Sequence, residues 1–321
     1  MKILVTGGAG FIGSNFLNDL FTSKIELEFS KVYCLDSLTY ASSRNNWSTA
    51  TLSDARFNFI LGDINDSRII NELVAEVDLV INFAAESHVD NSIKNPELFV
   101  STNVLGVTNI LNSLVKFKNK RLVQISTDEV YGTISQGSWD ESFPVSPNSP
   151  YSASKASADI LCSAFHKTYG TDVVITRCSN NYGPNQFPEK LIPLTIKKLL
   201  AGEQVPIYGN GLQKREWIHV SDHCDGIAKV ARNGKSGEIY NIGSGNEVEN
   251  ISIVKKIISY LRLDESQISH VTDRLGHDSR YSVNYEKIRN ELGFNPKIDF
   301  EKGLEDTIDW YVSNFSNVAI Q

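Results

Sequence analysis

Six short apolar runs alternate with segments of helical apolar spacing through residue 177, and this alternation limits the possible folds more than any other feature. The runs span 2–6, 31–36, 57–63, 78–84, 121–126 and 172–177. Segments 11–21, 67–75 and 98–117 place apolar residues every three or four positions, as helices resting on a core do. The alternation predicts an α/β fold: a doubly wound, Rossmann-type parallel sheet with helices on both faces. Ser149-Pro150 opens another helix, with serine as cap and proline at the first helical position, running to about Tyr169-Gly170.

After Cys178 the pattern changes. Segment 180–188 holds three Asn, two Pro and a Gly and reads as a loop; later strands are short and scattered. Helices are expected near 189–201, 221–233, 251–263, 285–292 and 300–314. The expected organisation is a dinucleotide-binding domain over 1–178, with segments returning near 214–242. A smaller, partly interleaved C-terminal substrate-binding lobe takes most of 179–321.

Charge and cysteine usage narrow the function classes. Among 321 residues, 31 Lys and Arg against 38 Asp and Glu leave a net charge of −7, which argues against a nucleic-acid partner. The stretch 98–115 is interrupted by Ser101, Thr102, three asparagines and Gly106, so no membrane partner is expected. Only three apolar residues separate Lys2 from Thr6, too few for a signal-peptide core. Cys34, Cys162, Cys178 and Cys224 are widely spaced and read as reduced thiols of a cytoplasmic protein.

Gly7, Gly10 and Gly13 lie between the first apolar strand and the first helix. Glycines there permit a tight turn, close backbone approach to a pyrophosphate, and packing of helix on strand. The helix start offers unpaired N–H groups to the anion. The next strand ends in Asp36, whose carboxylate can accept both ribose hydroxyls and would repel a 2′-phosphate, favouring NAD over NADP. Asp63 and Ile64 would line the adenine pocket.

Tyr151 and Lys155 are four residues apart in the helix opened by Pro150 and share a face. For a phenol of pKa about 10 to act as a base near pH 7, it must be depressed by about three, roughly 4 kcal/mol. A neighbouring ammonium, the helix start and a cationic nicotinamide would all push that way. Thr127, Asp128 and Glu129 follow the fifth run at the ligand-binding end of such a sheet. Two adjacent acids suit an elimination: one withdraws a carbon-bound proton while the other protonates a departing hydroxyl. A solvent-facing turn is the competing reading of that triplet. His219, His223 and Cys224 have ligand-like spacing but lack a third positioned ligand, and no metal is expected.

Several segments together resemble the dTDP-glucose 4,6-dehydratases, extended short-chain dehydrogenase/reductases of the nucleotide-sugar branch. They are GGAGFIGS at the N-terminus, AAESHVD (84–90), STDEVYG (126–132), SPYSASKAS (149–157), CSNNYGPNQFPEKLIP (178–193), YNIGSGNE (240–247) and DRLGHDSRY (273–281). The resemblance implies a tightly held NAD and a nucleotide-sugar substrate. Tyr151, assisted by Lys155 and Thr127, would take the 4-hydroxyl proton; Glu129 would take the C5 proton; Asp128 would protonate the leaving hydroxyl. It assigns cofactor contacts to Phe11, Ile12, Asp36, Ser37, Leu38, Thr39, Asp63, Ile64, Ala84, Ala85, Glu86, Ser87, Thr102 and Asn181. Substrate contacts fall to His88, Thr127, Asn180, Lys190, Leu191, Pro206, Ile207, Tyr208, Arg215, Asn250, Asp273, Arg274, Leu275, Gly276, His277 and Arg280. Arg215 and Arg280 suit a pyrophosphate, which guanidinium binds through paired hydrogen bonds. A homodimer through the helices near 98–117 and 151–169 is likewise implied.

The chain departs from the family pattern at Asn91 (usually arginine), Glu216 (aspartate), Leu275 (proline) and Ser279 (arginine), and is shorter between Asn250 and Asp273. A UDP-glucose 4,6-dehydratase, or an epimerase or decarboxylase using the same first oxidation, are the alternative enzymes. A dinucleotide sensor without turnover is the alternative from another class.

Overall fold

The computed structural model describes residues 1–318. In chain order the strands are β1 (Lys2–Thr6), β2 (Lys31–Asp36), β3 (Phe57–Leu61), β4 (Leu79–Asn82), β5 (Arg121–Thr127) and β6 (Asp172–Cys178). Then follow β7 (Asn180–Tyr182), β8 (Val205–Tyr208), β9 (Lys214–His219), β10 (Ile239–Ile242), β11 (Glu247–Glu249) and β12 (Ile268–Val271).

Seven strands form one parallel sheet in the order β10-β6-β5-β4-β1-β2-β3. Winding reverses between β1 and β4, so the connections that leave the carboxyl ends of those two strands run to opposite faces and open the crevice where ligands of open α/β sheets bind. Central strands are apolar on both sides because both faces are covered. One face packs Phe16, Leu17 and Ile227 against Val5 and Ile81; the other packs Ile70, Leu111 and Cys162 against Leu4 and Val80. A third core, holding Tyr182, Ile196, Trp217, Ile257 and Leu304, belongs to the C-terminal elements. There β11-β9-β7 form a small sheet and β12-β8 another.

The helices Phe11–Phe21 and Pro150–Tyr169 have the expected bounds. In the second, the Ser149 hydroxyl accepts the Ser152 N–H at 3.1 Å, Pro150 sits in the first turn, and Gly170 ends it at φ +68°.

Four local expectations need correction. The asparagine-rich segment after Cys178 is not all loop, because β7 pairs in parallel with β9. Helix Val220–Asn233 starts one residue earlier than expected, capped by the His219 ring, which accepts the Ser221 N–H at 3.2 Å. The stretch 98–117 is not one regular helix: Pro96–Val100, a π-helical turn Ser101–Gly106, and Val107–Lys116 follow one another. Nor is it too polar to be taken for a membrane span. Over Pro96–Lys116 its length and mean hydropathy of 1.4 suffice by composition alone, but 44% of it is buried against the rest of the chain. The π turn brings Asn103 inward, where its amide accepts the Glu86 N–H and donates to Glu86 O and Ser154 Oγ at 2.8–3.0 Å. The loop after β4 is thereby tied to the helix carrying Tyr151.

Candidate active site

Two cavities meet over the carboxyl ends of β1, β4, β5 and β6. The larger, about 350 Å³, runs from the glycine turn to Tyr151. Gly7 adopts φ +69°, and a Cβ there would stand 2.5 Å from the Ala84 nitrogen; a Cβ on Gly13 would stand 2.4 Å from the Gly7 oxygen. Only glycine allows β1, the helix start and the β4 loop to close this tightly. At Gly10, by contrast, a Cβ would meet nothing nearer than the Gly7 oxygen at 3.4 Å, which leaves the backbone open to a ligand.

Asp36 lies at this cavity with each carboxylate oxygen already accepting a backbone N–H, from Ala9 at 2.9 Å and Leu38 at 2.8 Å. It therefore orders the turn as well as facing it. Gly7, Gly10, Phe11, Ile12, Gly13, Ser37, Thr39, Asp63, Ile64, Ala84, Ala85, Glu86, Ser87, Thr102 and Asn181 line the same space. Leu38 does not; it packs into the core beneath. A long cleft with a glycine cradle at one end, a strand-end carboxylate beside it and apolar walls fits a dinucleotide.

At the far end stand the four reactive groups. The Thr127 hydroxyl accepts the Glu129 N–H at 3.2 Å and donates to Asp128 Oδ1 at 3.2 Å, folding β5 directly into the short 3₁₀ helix Asp128–Tyr131. This places both acids at the cavity wall, and the solvent-facing turn is excluded: Asp128 is 1% exposed. Its Oδ2 is buried without a hydrogen-bond partner among the described residues. Burial, with Glu129 and Glu216 nearby, pushes the Asp128 carboxyl well above its ordinary value, against Arg215 and the Thr127 hydrogen bond. Burial also raises Glu129, and there Lys190, Arg215 and Arg274 oppose it. Asp128 is thus biased toward its protonated form, while three cations counter the rise at Glu129.

Tyr151 is buried with its ring edge-on to Phe99 at 6.3 Å. Its phenol lies well above 10 rather than below, which corrects the expected direction. Burial dominates, Glu129 and Cys178 add to it, and the Thr127 hydroxyl opposes it. Lys155 does not supply the missing depression, since its ammonium is committed to the Ile125 carbonyl at 2.6 Å and burial lowers its own value.

The second cavity, about 150 Å³, shares Glu129, Asn180, Asn181 and Lys190 with the first. His88, Leu191, Arg215, Asn250, Arg274, Gly276 and His277 line it. Lys190 donates to the Ser87 carbonyl at 2.7 Å and stands between the two spaces.

Other expected substrate contacts lie outside both cavities. Arg280 cannot serve as a free anion clamp there: its guanidinium grips Glu247 through Nε and Nη2 and gives Nη1 to the Gly137 carbonyl. Pro206 and Ile207 belong to β8, and the Tyr208 hydroxyl is spent on Asp90 at 2.9 Å. Asp273 accepts from His277 and Gln213, and Leu275 is 79% exposed. None of the departing residues Asn91, Glu216, Leu275 and Ser279 lines either cavity.

Sequence reasoning missed Cys178, Ser179, Gln186, Phe187 and Glu189 on the larger cavity. Phe187 and Glu189 meet Tyr40 across its mouth, ring edge to face at 5.4 Å and hydroxyl to carboxylate at 3.2 Å. The aromatic and acidic residues of FPEK were the available signal.

The family model for GDP-mannose 4,6 dehydratase matches residues 4–307. A dTDP-glucose 4,6-dehydratase of Actinoplanes sp. is 48% identical over 318 residues, covering 98% of this chain and 99% of that protein. A crystal structure of a dTDP-glucose 4,6-dehydratase from Streptomyces venezuelae with NAD bound aligns with a TM-score of 0.96 at 48% identity, covering 98% of each chain. A UDP-glucose 4-epimerase from Thermotoga maritima aligns at 0.89 with 26% identity, covering 98% of this chain and 100% of that one.

Proposed function

The chain belongs to the dTDP-glucose 4,6-dehydratase family, and from that membership we propose that it converts dTDP-glucose to dTDP-4-keto-6-deoxyglucose using NAD. The observation that carries the assignment within the fold is the acid pair on one cavity wall beside Tyr151 and Lys155, Asp128 buried and Glu129 half-buried. An epimerase that only oxidises and re-reduces C4 has no use for two adjacent acids; loss of water needs both.

The residues near the glycine turn, Asp36, Asp63 and Lys155 would hold the NAD, which would supply reversible oxidation at the sugar carbon. Tyr151 takes the proton of the 4-hydroxyl, relayed past Thr127. The ketone so formed acidifies the C5–H, which is otherwise far too weak an acid for a carboxylate. Glu129 removes that proton, and Asp128 gives its own to the C6 hydroxyl, which leaves as water; the hydride withdrawn from C4 then returns to C6 and a proton to C5, which gives the 4-keto-6-deoxy sugar. Arg215, Arg274 and Lys190 supply the positive charge a nucleoside diphosphate requires.

The NAD-loaded protein incubated with dTDP-, UDP- and GDP-glucose tests the reading. The alkali-sensitive 4-keto product is expected from dTDP-glucose, with the other two at least tenfold slower. A C4-inverted sugar that retains its 6-hydroxyl would replace the assignment by epimerisation.

Two finer points belong with it. Leu98, Val100, Leu105 and Ile160 are each 44–57% exposed on helix Pro150–Tyr169 and the helical run before β5, an apolar face suited to a second copy of the chain. Sedimentation should give a dimer of the 35.7 kDa chain, and Leu105→Arg should shift it toward monomer. All four cysteines are free and buried, in keeping with the reducing cytoplasm.

A further inference from the structure

Asp278 takes no part in the chemistry above, yet it gathers bonds from four residues at or beside the second cavity. One carboxylate oxygen accepts from the Thr133 hydroxyl and from Asn148 Nδ2, the latter at 2.6 Å; the other accepts from the Tyr281 hydroxyl. Its backbone carbonyl accepts from Arg215 Nη2 at 2.8 Å. The residue is 6% exposed and lines the cavity it braces.

These partners are placed where position matters. Thr133 follows the 3₁₀ helix that carries Asp128 and Glu129, and Asn148 precedes the Ser149 cap of the Tyr151 helix. Tyr281 lies under the Arg215 guanidinium, 4.2 Å from ring centroid to Cζ. Arg215, Tyr281 and Asp278 thus close a ring: the carboxylate fixes the phenol, the ring supports the guanidinium, and the Asp278 carbonyl orients its fork. The other Arg215 nitrogen, Nη1, donates to the Lys214 carbonyl at 2.8 Å, so the guanidinium is set from both sides. Burial, chiefly, keeps the Tyr281 phenol protonated and therefore a donor.

We propose that Asp278 is a positioning residue that fixes Arg215 for the substrate diphosphate and holds the 273–278 loop in register with the acid pair. The proposal rests on the dTDP-glucose reading only for the identity of the bound nucleotide. A residue acting through a binding arginine should move affinity rather than the chemical step.

Asp278→Asn keeps shape and burial and lets both hydroxyls reorient. In the NAD-loaded variant KM for dTDP-glucose should rise about tenfold, and Kd for dTDP in parallel, with kcat within about threefold. Melting temperature and NAD content should stay at the wild-type values. Tyr281→Phe keeps the ring but frees the carboxylate, so KM should rise about threefold, and the double variant should fall short of the product of the two effects. Unchanged KM and dTDP affinity in Asp278→Asn, or a fall in kcat and melting temperature without a change in KM, overturns the role. If wild-type protein neither binds dTDP nor turns over dTDP-glucose, the substrate reading fails instead. Deuterium uptake by segment 272–280 then decides the positioning role: Asp278→Asn must accelerate it, and equal uptake overturns the role.

Discussion

Glu129→Gln should lower formation of the 4-keto-6-deoxy product by about 10²–10⁴-fold, the usual cost of losing a positioned general base. The substitution keeps the shape of a half-buried side chain on the wall common to both cavities. What it removes is the carboxylate that Lys190, Arg215 and Arg274 surround. Exchange of solvent deuterium into C5 should vanish with activity, and residual turnover should slow further when the substrate carries deuterium at C5. In the wild-type enzyme the base must be ionised, and burial raises its value, so activity falls as pH drops through that raised value. The glutamine variant should lose this acidic limb. The fall at high pH should persist, because it reports loss of the proton on Asp128, which is still present. An acidic limb unchanged in Glu129→Gln would assign the C5 proton to another group.

Punctuated elements were legible in the sequence. The glycine turn, the Ser149-Pro150 start and the Gly170 stop mark helix ends by local backbone chemistry, and the structure keeps them. The Thr-Asp-Glu triplet was legible for a similar reason, since a short helix follows β5 directly and its cap is the threonine itself. Features made by distant partners were not. Asn103 looks like any polar residue in an apolar helix until Glu86 and Ser154 meet it. Arg280 reads as an anion clamp until Glu247 fills its fork. Nothing near Asp278 in the chain announces Thr133 or Asn148, which lie 145 and 130 positions away.

The Tyr151 phenol shows the same limit in energetic form. Charges near a tyrosine can be read from spacing, and Lys155 four residues on suggests depression. Burial cannot be read that way, and here it wins: a desolvated phenolate beside Glu129 is costlier than the lysine, held on the Ile125 carbonyl, can offset. The polypeptide alone therefore keeps Tyr151 protonated near neutrality. A positive charge from a bound cofactor would lower the phenol toward a base, and would so couple proton removal to the presence of the oxidant.

Tyr151→Phe should consequently cost about 10²–10⁴-fold in product formation, through a different step from Glu129→Gln. Phenylalanine retains the edge-on packing with Phe99 and removes a single hydroxyl, so the melting temperature should change little. Without the hydroxyl the site loses the group assigned to the 4-hydroxyl proton: Thr127 is not a base, Asp128 is biased toward its protonated form, and Glu129 is assigned to the C5 proton. Oxidation at C4 becomes rate-limiting. Deuterium at C4 should then slow the variant in full, while deuterium at C5 leaves it unaffected, the reverse of the glutamine variant. C5 exchange should fall as far as product formation does, because the C5–H becomes acidic only after the ketone forms. If Tyr151→Phe instead kept C5 exchange at the wild-type rate, proton removal at C5 would precede oxidation, and the order of steps derived from the acidity of that carbon would be wrong.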